Sequence, residues 1–145
     1  MAKTSDSIHV ALSPEDTFVA AADLARYDEW LVLHDGWRSP LPTVDELTVG
    51  TEISSVVSVK GARVRFAWQI EKFDRPNRVV LKGAGKGGVK AKIDLSVAPD
   101  GDGSEVTFLI DLGGLPLMGP AGKAAAKAVK GDIEKSLARF TALFG

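Results

Sequence analysis

Pro120–Phe144 reads PAGKAAAKAVKGDIEKSLARFTALF, and Gly122, Ala126, Val129, Ile133, Leu137, Phe140 and Phe144 recur in it at spacings of 4, 3, 4, 4, 3 and 4. At ~100° per residue these positions fall on one stripe, and nothing after the opening proline forbids a helix. One long amphipathic helix is therefore expected to lie on whatever precedes it. Its buried stripe is graded: Gly122 and Ala126 are small, while Ile133, Leu137, Phe140 and Phe144 are large. The bulky half fills its contact with a partner surface. The slender half either leaves space for a cavity or lets the helix approach closely and pack densely.

Upstream of this helix the period shortens to two. Val64, Phe66, Trp68 and Ile70 alternate with Arg63, Arg65, Ala67, Gln69 and Glu71. The same alternation runs through Ile53–Val59, Val89–Val97 and Val106–Leu112, and Pro76-Asn77 turns the chain into a strand over Arg78–Ala84. Such strands have one buried and one wet face, and Pro99-Asp100-Gly101-Asp102-Gly103 is a strong hairpin signal between the last two. Further upstream, Ser7–Leu12 alternates as a first strand. Ser13-Pro14-Glu15-Asp16 then opens a short helix, with a serine cap, a proline where no N–H is needed and acids at the positive helix end. Asp23 is placed to cap a second helix carrying Leu24, Tyr27, Trp30 and Leu31. Asp35–Pro42, with prolines at 40 and 42, reads as a loop.

No repeat, low-complexity tract or linker divides the 145 residues, so residues 1–145 are expected to form a single domain. Cys is 0, which removes disulfides, thiolate nucleophiles and cysteine zinc sites, and two His are too few for a multi-histidine metal centre. No metal site and no cofactor are expected. The first six residues are polar and no apolar stretch approaches the ~20 residues of a membrane span, which leads us to expect a cytoplasmic protein without a membrane span. The net charge of −1 is unevenly distributed: residues 1–59 carry −7, residues 60–92 carry +8 and residues 93–145 carry −2. The basic middle could face an acidic partner, but the near-neutral total argues against nucleic acid.

Five groupings of residues bear on chemistry. Gly83-Ala84-Gly85-Lys86-Gly87-Gly88 has the letters of a dinucleotide loop, but a strand follows it where a helix N-terminus must meet the pyrophosphate. It reads as a turn whose glycines leave backbone room beside a ligand or the helix. Asp100, Asp102, Ser104 and Asp111 mimic part of a calcium loop, but Glu105 replaces the required glycine. His34-Asp35 has no nucleophile to serve, and no catalytic residue is assigned. Arg65, Arg78, Lys82, Lys90 and Lys92 share the wet sheet face, where solubility is the ordinary reason for charge. Trp30, His34, Trp37 and Arg38 gather where the second helix meets the loop, and are read either as a binding-site rim or as loop anchors.

The chain resembles the START and birch-allergen-like helix-grip superfamily, which includes polyketide cyclase/dehydrase-like and lipid-binding proteins. Within it the chain is most similar to the mycobacterial toxin-type members. The resemblance rests on Tyr27, Trp30-Leu31, His34, Trp37-Arg38-Ser39 and Leu41-Pro42, on Gly87–Lys90 and Val97–Pro99, and on Gly113-Gly114, Gly119-Pro120, Gly122, Asp132-Ile133, Ser136-Leu137 and Phe140. It implies an α+β helix-grip fold: a seven-stranded antiparallel sheet wrapped around the long C-terminal helix, two short helices after the first strand, and an apolar cavity between sheet and helix.

Three functions follow as expectations. The first is binding of a hydrophobic small molecule, lipid or polyketide-like, with Phe66, Trp68 and Phe108 lining the cavity. Gly122 and Ala126 would open it from the helix side, and Trp30, His34, Trp37 and Arg38 would form its entrance. The toxin-type resemblance adds an antitoxin protein as partner. The second is a cyclase or dehydratase using His34 for proton transfer and Arg38 to stabilise an enolate, which requires both side chains inside the cavity. The third is a protein- or RNA-interaction module on the basic sheet face.

Overall fold

Alternating residues build a sheet of seven antiparallel strands, described here in a computed structural model. The model describes residues 2–59, 62–85, 87–114 and 120–144, with their side chains except at 2, 44, 59, 62, 121 and 122. The strands are β1 (Ala2–Val10), β2 (His34–Trp37), β3 (Glu52–Val59), β4 (Ala62–Asp74), β5 (Arg78–Gly85), β6 (Lys90–Asp100) and β7 (Gly103–Gly113). Their order is β1-β7-β6-β5-β4-β3-β2. From β2 to β7 each strand neighbours the next in sequence, which suits short turns, and β1 closes on β7. The β6–β7 turn passes through Gly101 at φ +59 and the β5–β6 turn through Gly87 at φ +84, conformations in which glycine has no steric penalty.

Three elements differ from the expectation. β1 begins at Ala2 rather than Ser7, because polar Lys3–Ser7 pair in unbroken register with Thr107–Asp111 of β7. Backbone pairing, not side-chain alternation, makes those residues a strand. The supposed loop contains β2: its prolines lie beyond Trp37, so His34–Trp37 is free to pair with Val57–Ser55 of β3. Four residues are too few to show a period. The second helix is split into a 3-10 turn at Leu24–Arg26 and the single-turn α2 (Tyr27–Trp30), and the Asp23 side chain makes no capping hydrogen bond. The preceding α1 (Pro14–Ala22) is capped as read, with the Asp16 N–H donating to Ser13 Oγ at 3.2 Å.

The last element, α3 (Pro120–Phe144), spans the residues its periodicity indicated. Val129, Ile133, Leu137 and Phe140 are buried, with Ala126 and Phe144 packed at the margin of the core. The helix rests chiefly on β1, with β7 and α2 beside it and only slight contact with β3. Its bulky half is clamped by Trp30, whose ring meets Phe140 edge-on at 5.1 Å and Phe108 at 6.3 Å. Ser136 Oγ accepts from the Val32 N–H at 2.8 Å and donates to the Asp132 carbonyl at 2.7 Å, which ties the chain after α2 to the helix. This is the helix-grip fold. No helix among the described residues is long and apolar enough to cross a membrane.

Candidate ligand-binding site

Because α3 leans toward β1, the concave face formed by β3–β6 meets few of the helix's described side chains, Val129 among them. Aromatic rings from the sheet occupy much of that space. Phe66 and Trp68 stack at 5.0 Å with 26° between their planes. They lie flat on β5 because the residues opposite them in register are Gly85 and Gly83. A Cβ at Gly83 would stand 2.5 Å from Trp68 Cε3, and one at Gly85 would stand 2.8 Å from Phe66 Cε1. The glycines thus do provide backbone room, and the two rings take it. Trp68 is further tethered by its Nε1–H, which donates to the buried Ser55 Oγ at 2.9 Å. Above these rings remains a hollow of ≈ 60 Å³, bounded by β3–β7, by Val129 of α3 and by residues around α2 and β2.

The polar groups of the hollow gather at one end. A register shift between His34 and Gly36 brings both His34 and Trp37 opposite inward-facing residues of β3, so both side chains border the hollow. Their rings lie 4.7 Å apart, and Tyr27 closes the cluster at 6.2 Å from His34 and 5.7 Å from Trp37. Trp37 Nε1–H is spent on the Leu24 carbonyl at 2.8 Å. The Tyr27 hydroxyl has no hydrogen-bond partner among the described residues. Burial is the main cause that pushes this phenol well above its ordinary value, with the Asp23 charge adding to it. Burial likewise lowers the His34 imidazole, against the opposing pull of Asp28 and Asp35. At neutral pH both groups are uncharged. Among the described residues, no Asp, Glu, Lys or Arg side chain borders the hollow.

The expected site residues divide accordingly. Phe66, Trp68 and Phe108 line the hollow, and His34 and Trp37 stand at its polar end. Trp30 is not at an entrance: it is 1% exposed, packed from α2 against Phe140 and Phe108, with an indole N–H that has no partner among the described residues. Arg38 is a correction too. Following inward Trp37 it turns to the other side of the chain, where it is exposed and its guanidinium donates to the Trp37 carbonyl at 3.0 Å beside Gly36. The His34–Arg38 pair that a cyclase would need is therefore not assembled in the hollow. Ala126 packs against the core, but the helix residue that reaches the hollow is Val129, one turn later. The Gly122 position falls outside the residues whose surroundings are described. Tyr27 was missed as a site residue, although its three-residue spacing from Leu24 and Trp30 placed it on the right helix face.

The outer sheet face has a broader recess of ≈ 870 Å³, open to solvent, with Lys82, Lys90 and Lys92 on its walls. Its size exceeds that of the inner hollow, and its open walls mix these lysines and Asp111 with apolar surface. Charge on this face is also partly neutralised: Arg78 forms a two-pronged pair with Asp94, and Lys92 Nζ lies 3.6 Å from Glu71.

Residues 1–145 match the family described as polyketide cyclase / dehydrase and lipid transport. The chain is 46% identical over 145 residues, 100% of both chains, to an uncharacterized protein of Mycobacterium tuberculosis. It is also 46% identical over 144 residues, 99% of each chain, to a protein of that organism named a toxin. A crystal structure from Thermus thermophilus superposes with a TM-score of 0.72 over 99% of both chains at 17% identity, a likeness of fold alone.

Proposed function

Since the chain belongs to the polyketide cyclase/dehydrase and lipid transport family, we propose that it binds a hydrophobic small molecule, lipid or polyketide-like, between the concave sheet face and α3. The observation that carries this reading is an apolar hollow whose floor is two aromatic rings seated on glycines rather than side chains of the gripping helix. The space left open is only ≈ 60 Å³, so a guest of lipid size displaces a ring. Phe66 is the ring that yields, because Trp68 is held by Ser55 and Trp37 by Leu24. Burying about 200 Å² of apolar guest surface supplies about 5 kcal/mol before the cost of association.

Native mass spectrometry of freshly purified protein tests for a co-purifying molecule, and titration with nonane tests the hollow directly. Ala126→Trp, one turn before Val129, is expected to abolish guest binding while leaving the circular dichroism spectrum intact. A folded Ala126→Trp protein that binds nonane as the parent does would overturn the reading. A toxin role with an antitoxin partner rests on the identity to toxin-named relatives, and growth of a host expressing the chain alone tests it.

A further inference from the structure

Resting on the reading that this hollow is the binding site, we propose that its natural occupant ends in an uncharged oxygen, as in a ketone, alcohol or ester, seated at the Tyr27–His34 end, and that carboxylate lipids are excluded. The lining decides the class of ligand. An anion buried there would meet no Lys or Arg among the described residues, since none of these borders the hollow. An unpaired buried charge is among the most costly arrangements a protein interior can hold. The two arginines nearest in sequence to that end are engaged elsewhere: Arg26 forms a two-pronged pair with Glu29, and Arg38 is turned outward and donates to the Trp37 carbonyl. His34 does not supply the missing cation at neutral pH, because burial holds its imidazole in the uncharged form.

A fully apolar occupant, in turn, would leave the polar end unused. Tyr27 borders the hollow, and its hydroxyl remains protonated and is without a protein partner among the described residues. It is a free donor for a carbonyl or hydroxyl oxygen. The uncharged His34 ring carries one donor and one acceptor nitrogen and so complements either group. Trp37 contributes ring surface only, because its N–H is already committed to Leu24.

Three probes of matched chain length separate the possibilities: 2-nonanone, nonane and nonanoate, titrated at pH 8 and followed by the amide and indole N–H resonances of the labelled protein. The expected order is 2-nonanone tightest, nonane next, and nonanoate weaker than the ketone by about 100-fold or more. Tyr27→Phe is expected to weaken the ketone roughly three- to tenfold and to leave nonane unchanged, since it deletes one hydrogen bond and keeps the ring. Nonanoate binding as tightly as the ketone, or a ketone affinity indifferent to Tyr27→Phe, overturns this proposal while leaving the hollow as the site. Failure of all three probes, nonane included, overturns the binding site itself and this proposal with it.

Discussion

Gly83→Ala is the sharpest test of how the hollow is built. The added Cβ would lie 2.5, 2.7 and 2.9 Å from Cε3, Cζ3 and Cδ2 of Trp68, so the indole must lift by about 1 Å to reach ordinary contact. It cannot slide freely sideways, because Phe66 is stacked on it and Ser55 holds its N–H. Overpacking of this kind costs about 1–3 kcal/mol. Strain on the Ser55 hydrogen bond adds up to about 1 kcal/mol. The reduced freedom of the unfolded chain returns about 0.4–1 kcal/mol. A net destabilisation of about 1–3 kcal/mol is expected. The lift also matters for the guest: a ring face of roughly 40 Å² raised by about 1 Å sweeps roughly 40 Å³, most of the ≈ 60 Å³ hollow. Urea unfolding followed by far-ultraviolet circular dichroism reads the first effect and nonane titration the second. Gly131→Ala is the control, since a Cβ there meets nothing within 4 Å in the middle of α3. It should stabilise by about 0.5–1 kcal/mol. If Gly83→Ala behaved like Gly131→Ala, the picture of rings seated on bare backbone would be wrong.

Ser136→Ala removes the acceptor for the buried Val32 N–H, and an orphaned donor should cost about 1–3 kcal/mol, read as a lower urea midpoint with an unchanged slope. A loss within a few tenths of a kcal/mol would show that water takes over the serine's role. For His34 the folded-state pKa lies below the ordinary 6.5. Above that value neither folded nor unfolded chain is protonated there, whereas below it the unfolded chain takes up the proton first. Stability is therefore lost as the pH falls through 6.5 toward the folded value and levels off beneath it. Urea midpoints between pH 7.5 and 5 should decline less in His34→Gln than in the parent; equal slopes would remove His34 as the source.

What the sequence made legible was set by the length of each pattern. Twenty-five residues with a steady 3.6 period placed α3 end to end, and alternation over eight or more residues placed β4, β6 and β7 on the correct faces. β2 escaped because its pairing depends on β3 and on a register shift that no local pattern encodes. That same shift explains why Trp37 faces inward while Arg38, its neighbour, does not. The wedge suggested by the graded helix stripe has a counterpart in the way α3 leans on β1, but the space it leaves is largely occupied from the opposite side. Only coordinates could reveal that, because the Phe66–Gly85 and Trp68–Gly83 partnerships join residues on different strands. Trp30 illustrates the complementary error: near others of its kind in sequence it suggested a rim, yet a large ring beside Phe140 is more valuable as a wedge.

The Ser136–Val32 bond has a mechanical consequence. His34 follows Val32 by two residues and Trp37 by five, so the aromatic cluster hangs from the same short tether that grips the middle of α3. A helix that rises from the sheet drags that cluster with it, and a ligand that pushes the cluster aside tugs on the helix. Lifting the helix and rearranging the polar end therefore form a single motion, and a guest too small to move one will leave the other where it stands.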